Sequence, residues 1–514
     1  MMFRTAELQR KLPKEDYHQQ VPQLRQDLLI AQMELREADF PVVVVFAGVD
    51  GAGKSETVNK LYEWMDARWL IARAFGEPSD EERDRPEYWR FWRELPPRGR
   101  MALFLSSWYS QPILDQVYGH IGSAKFDEQL ERIKRFERTL ADDGALILKF
   151  WMHLSKDAQK DRLRKLEKNP LLHWRISERD WRHWEMYDQF IATAERTIMK
   201  TSTGLAPWKI IEGYNERYRS ITVATVIRDA IRFRLEESRI QSTGNGEVAA
   251  PPPGVLAPDP AGSPPVTILS RLDMSKTLNK AEYDAGLKTY QSKLNQLQRA
   301  ARERKVSTLL VFEGWDAAGK GGCIRRITAA LDARDYQVIQ IAAPTDEEAA
   351  HNYLWRFWRH LPRAGLVTIY DRSWYGRVLV ERIEGFARPR EWQRAYAEIN
   401  DFEEQLVQSG IVLVKFWLHI TPDEQLRRFQ EREQIPYKAW KLTEEDWRNR
   451  DRWVEYELAV NDMVERTSTR QEPWTLIEAN DKRHARIEVL RTICERLEAA
   501  LAEKPKSSES TKKE

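Results

Sequence analysis

The chain has 514 residues, 42% hydrophobic and 32% charged, enough for several domains each with a core of its own. Its 82 Lys and Arg against 80 Asp and Glu leave a net charge of +2, which excludes a general attraction to nucleic acid or acidic membranes. Two cysteines outside any Cys/His cluster argue against a disulfide framework or a zinc site.

The opening MMFRTAELQRKLPKED is charged, and no run of 18 apolar residues follows anywhere, so a cytoplasmic protein without signal peptide or membrane span is expected. A polar helical segment over about 15–38 precedes PVVVVFAG, a short β-branched run that reads as a buried strand. The loop GVDGAGKSE at 48–56 then completes the phosphate-loop pattern with Lys54 and Ser55, and Val58, Leu61 and Met65 follow at helical spacing. Residues 241–265, rich in Pro, Gly and small side chains, read as an extended or disordered linker.

Beyond the linker the same unit begins again. At a constant offset of 266, Tyr17 meets Tyr283, Gly48 meets Gly314, Lys54 meets Lys320, and WRFW at 89–92 meets WRFW at 355–358. SWY, KFW and PW recur in the same register, which marks a domain duplication. The expected organisation is a first domain over 1–240, the linker over 241–265, a second domain over 266–500 and a disordered tail over 501–514. In the second copy a helical lead-in at about 281–304 precedes STLLVFEG, and LVTIYD (366–371), IVLVKFWLHI (411–420) and WTLIEA (474–479) alternate with helical stretches. Strands alternating with helices imply an α/β fold, a parallel sheet covered on both faces.

The second loop, GWDAAGKGG at 314–322, places Gly321 where a metal-binding hydroxyl is usual. Backbone N–H groups of Gly314, Ala317, Ala318, Gly319 and Gly321, with the helix N-terminus, can still cradle phosphate, and Lys320 adds a point charge. Mg²⁺ takes hard oxygens and keeps several waters, so Asp316 in the loop and Asp371 at the end of the next clear strand are candidate metal ligands in place of the hydroxyl. Aligned with YDRSWYGR (370–377), the first copy reads FLSSWYSQ: Asp371, Arg372 and Arg377 become Leu105, Ser106 and Gln111. Arg428 and Arg432, four apart on one helix face, have Arg162 and Leu166 as counterparts. Phosphoryl transfer is catalysed by positioning and charge neutralisation, so the second copy is expected to work and the first to be structural or regulatory. Trp355, Trp358, Trp374 and Trp417 recur in both copies and are expected to pack rather than stack on bases.

GWDAAGKGG, PTDEEAAHNYLWRFWRHLP, YDRSWYGRVLVER, VKFWLHI and EDWRNRDRW together resemble the polyphosphate kinase 2 family across both copies. The resemblance implies two tandem P-loop kinase-like domains, each with a thymidylate-kinase-like parallel sheet and a helical lid. It also implies Mg²⁺-dependent transfer from inorganic polyphosphate to a nucleotide. By the same resemblance Asp316 and Lys320 act in the loop, Asp371 and Arg372 at the strand end, Arg377 and Glu381 on the following helix, and Arg428 and Arg432 in the lid. Fused copies resemble enzymes that make ADP from AMP, whereas single-copy members act more often on ADP or on both; a polyphosphate kinase acting on ADP or GDP is the alternative. From the residues alone, an ATP-dependent nucleotide kinase and a non-catalytic polyanion-binding protein stay open, as does the oligomeric state, a homo-oligomer included. Neither nucleic acid nor membrane is expected as a partner.

Overall fold

The computed structural model describes residues 2–243, 267–434 and 443–502. The helix Glu216–Thr243 takes in the first three residues of the expected linker, and the helix Lys482–Ala502 the first two of the expected tail; the rest of both lies outside the described residues.

Each repeat builds one five-stranded parallel sheet. In the first, β1 (Val42–Gly48), β2 (Leu70–Ala74), β3 (Met101–Leu105), β4 (Leu146–His153) and β5 (Trp208–Glu212) take the order β2-β3-β1-β4-β5. In the second, β6 (Thr308–Gly314), β7 (Tyr336–Gln340), β8 (Val367–Asp371), β9 (Val412–His419) and β10 (Trp474–Glu478) repeat it as β7-β8-β6-β9-β10. The centre strands are buried on both faces, as their unbroken apolar runs require: Val42 to Phe46 and Leu309 to Phe312 are at most 1% exposed. Leu28, Leu35, Ile227 and Ile231, from the helices Lys14–Arg36 and Glu216–Thr243, pack with Val42, Val44 and Phe46 in one core. By packing, one compact unit holds the described residues within Met1–Pro78, Arg90–Val248 and Thr345–Asn352, and the other those within Ser79–Trp89, Ala249–Pro344 and Tyr353–Glu514.

The recurring SWY and KFW have a shared structural task. Lys415, on β9 with its side chain wholly buried, sets its Nζ 2.6 Å from Glu403 Oε2 and donates to Tyr375 Oη (3.0 Å) and Thr467 O (2.8 Å). Glu403 also accepts from Trp374 Nε1 and Tyr375 Oη. The first repeat has the same cluster in Lys149, Glu137, Trp108, Tyr109 and Thr201. A buried ion pair is tolerated when its remaining donors and acceptors are met, and here they fasten the strand to two helices and the turn after the third strand. Trp358 and Trp374 pack on Phe402, so these tryptophans are core residues.

Candidate active site

In an open parallel sheet, ligands meet the carboxyl ends of the strands where the order reverses, here beside β6. The loop after β6 begins at Gly314 (φ +147°), where a Cβ would lie 2.6 Å from Leu418 O on β9. Trp315 then turns inward, its ring stacked on Trp453 at 3.6 Å between centroids and its Nε1 donating to His419 Nδ1 at 3.1 Å. Burial pushes the His419 imidazole down to about 4, which keeps it neutral and its Nδ1 an acceptor. Ala317 (φ 62°) and Gly319 (φ 115°) are left-handed, and the helix Lys320–Thr328 starts at once. Its N-terminus is open, since no atom stands within 4 Å of where a Cβ on Gly319 or Gly321 would be. Lys320 Nζ folds back to donate to Gly314 O (2.6 Å) and Trp315 O (3.3 Å).

Asp316 and Asp371 both border this loop. Asp316 accepts from Arg372 Nη2 on one carboxyl oxygen (3.2 Å) and from Asn449 Nδ2 on the other (2.9 Å). Asp371 closes β8 opposite Phe312 of β6, and its half-buried carboxylate has no hydrogen bond or ion pair among the described residues. Arg372 follows at φ 66°, a left-handed backbone in a residue with a Cβ, and its N–H donates to Phe312 O at 3.0 Å. That turn aims its guanidinium at the loop. Asn449 was not foreseen; it is buried, is oriented by Tyr456 Oη, and has His183 as its counterpart.

The arginines separate. Arg377 lies in the short 3₁₀ turn Trp374–Val378, ahead of the helix expected to carry it. There it pairs with Glu381 (3.2 Å) and packs on the Tyr353 ring, while burial raises the Glu381 carboxyl above its ordinary range. Arg428 was expected in a lid over phosphate, but the structure places it beneath the loop. Only 2% exposed, it donates to the carbonyls of Ala317 and Ala318 (2.9 Å each), Ala479 (2.7 Å) and Asn480 (2.8 Å). It braces the loop from below. Arg432, one turn on in the helix Pro422–Glu433, is half-buried and its guanidinium has no hydrogen bond or ion pair among the described residues.

The first repeat is a different site on the same frame. Lys54 donates to Gly48 O and Val49 O as Lys320 does to its equivalents, and Ser55 is exposed. Asp50, the counterpart of Asp316, instead meets His183 Nδ1 at 2.6 Å, and His183 Nε2 meets Tyr118 Oη at 2.7 Å. Arg162 is drawn to Glu56, and Arg219 from another helix donates to Gly213 O at 2.9 Å, the counterpart of Ala479 O, and to Thr57 and Glu56 rather than to loop carbonyls. Gln111 keeps the arginine's partner position with a 2.8 Å bond to Asp115, but Leu105 and Ser106 bring neither carboxylate nor guanidinium.

Both repeats match the family described as polyphosphate kinase 2, over residues 11–239 and 277–505. The chain is 51% identical over 500 residues to the polyphosphate:AMP phosphotransferase of Pseudomonas aeruginosa, covering 97% of this chain and 99% of that one. It is 38% identical to the enzyme of the same name from Acinetobacter johnsonii, over 93% and 96% of the two chains. A crystal structure of a polyphosphate kinase 2 from Pseudomonas aeruginosa matches with a TM-score of 0.85 at 48% identity, over 97% of this chain and 99% of that one. The chain belongs to the polyphosphate kinase 2 family and carries its domain twice.

Proposed function

We propose, on that membership and on the geometry after β6 and β8, that the second repeat transfers the terminal phosphoryl group of inorganic polyphosphate to AMP, giving ADP, with Mg²⁺. The observation that carries this reading is that Asp316 and Lys320 of the phosphate loop adjoin the strand end that carries Asp371 and Arg372, with Arg372 bonded to Asp316, whereas the first repeat offers only the first two of these types. The full-length likeness to two-repeat enzymes named for AMP favours that acceptor over nucleoside diphosphates.

The carboxylates fit a hard divalent cation. The Asp371 carboxylate makes no hydrogen bond or ion pair among the described residues, and each oxygen of Asp316 has one hydrogen bond and a lone pair to spare. Bound by Asp316 and Asp371, the ion would neutralise phosphoryl oxygens and draw charge from the leaving phosphate. The loop N–H groups hold the terminal phosphoryl, and Lys320 swings from the Gly314 and Trp315 carbonyls onto its oxygens. An oxygen of the AMP phosphate attacks in line; the new P–O bond forms as the bond to the penultimate phosphate breaks, and the chain leaves one unit shorter. The attacking oxygen is already anionic, so no general base is needed. Arg372 meets the transferring group, Arg377 and Arg432 supply further charge, and Arg428 keeps the loop in shape.

The test is to incubate purified protein and Mg²⁺ with polyphosphate and AMP, or with ATP and AMP, and to resolve the products by chromatography. ADP from the polyphosphate mixture, abolished by Lys320→Ala, is the expected result. Transfer from ATP alone would overturn it.

A further inference from the structure

Glu313, the last residue but one of β6, is only 5% exposed and accepts a hydrogen bond from Ser373 Oγ at 2.8 Å. Burial pushes its carboxyl above the ordinary range, while Ser373, Lys320 and Arg372 draw it back. Burying such a group is costly, and the fold does not ask for it. The equivalent residue is Ala47, in the same parallel register: Ala47 lies opposite Trp151 as Glu313 lies opposite Trp417. Ser107 matches Ser373, and its hydroxyl accepts from the Tyr109 N–H (3.4 Å) as that of Ser373 accepts from Tyr375 (3.3 Å). The turn therefore closes without a carboxylate.

What the first repeat lacks together with that carboxylate is Asp371 and Arg372. Two bonds tie the Arg372 turn to successive residues of β6, Arg372 N–H to Phe312 O and Ser373 Oγ to Glu313 Oε1. Only the first can form where residue 313 is alanine. We infer that Glu313 is a positioning residue for phosphoryl transfer: through Ser373 it holds the Asp371–Arg372 turn against the strand that carries the phosphate loop. Carboxylate and guanidinium then meet the transferring group without reorganising. The inference rests on the function proposed above.

Steady-state kinetics on polyphosphate and AMP, with thermal melting, test it on wild type, Glu313→Ala, Glu313→Gln, Ser373→Ala and Glu313→Ala/Ser373→Ala. Glu313→Ala should lower kcat about ten- to a hundred-fold with KM for both substrates nearly unchanged and no loss of Tm, since the first repeat folds with alanine there. Glu313→Gln, whose amide oxygen still accepts from Ser373, should recover most of kcat, and the double variant should be no slower than Glu313→Ala. An unchanged kcat in Glu313→Ala, a fall in Tm alongside kcat, or a glutamine variant as slow as the alanine variant overturns the inference. An inactive wild type instead overturns the reaction on which it rests.

Discussion

Arg428 and Asp371 show how two residues of one site can answer to different demands. Arg428 directs its guanidinium at four carbonyl oxygens, two of them in the phosphate loop, so its removal leaves buried acceptors without a donor and takes one of two arginine partners from Glu424, which keeps Arg427. Arg428→Ala is expected to destabilise the second unit by about 3–5 kcal/mol, and Arg428→Lys to rescue it poorly, because an ammonium lacks the planar fork. Thermal melting should show the loss in one of two transitions. Asp371→Asn should do the reverse, lowering kcat by at least about a hundred-fold with Tm unchanged, since no hydrogen bond or ion pair of that carboxylate is lost among the described residues. Equal melting shifts in both variants would contradict the assignment. The places of Asp316, Lys320 and Asp371 in the fold are legible in the sequence because the motif and the strand end fix them. Arg428 is not, because two arginines four apart share a helix face without saying whether it looks at ligand or at loop. For Glu313 and Asn449 the signal was present as Ala47 and His183 at the equivalent positions, though neither stood in a pattern that names a chemistry.

At the level of elements, the buried ion pairs and the histidine under the loop set the stability. Lys415→Met leaves Glu403 buried without its partner and should cost about 3–5 kcal/mol, much of it recovered in Lys415→Met/Glu403→Gln; denaturant titration of both measures the coupling. His419 titrates near 6.5 when unfolded but at about 4 in the fold, where burial outweighs the attraction of Glu478. Between those values the unfolded chain takes up a proton that the folded chain refuses. The second unit is therefore at full stability above pH 6.5 and loses up to about 3 kcal/mol as pH falls to about 4. His419→Gln, which can still accept from Trp315, should flatten that slope in urea titrations between pH 7 and pH 4.5; an unaltered slope would discount His419. The central strands are legible because their apolar runs are unbroken. β2 and β7 are not, because as edge strands they read LIARA and YQVIQ, with exposed residues that dilute the pattern. Lys149 and Lys415 escaped notice because a lysine within an apolar run reveals nothing of a carboxylate twelve residues earlier.

Across the whole molecule, the duplication supplies its own control. Lys320→Ala should abolish ADP formation and Lys54→Ala should leave it, because Lys54 adjoins an Asp50 already held by His183 and a third strand ending in Leu105. Product from the Lys320→Ala protein would show the first repeat to be active. The two repeats also share one torsion angle at the end of the third strand. Ser106 stands at φ 53°, close to the 66° of Arg372, yet has no guanidinium to present. A left-handed backbone costs a residue with a Cβ roughly 1 kcal/mol or more, so Ser106→Gly should stabilise the first unit by about that amount in denaturant titration. The left-handed contour of this turn is thus common to both repeats, whichever side chain stands on it.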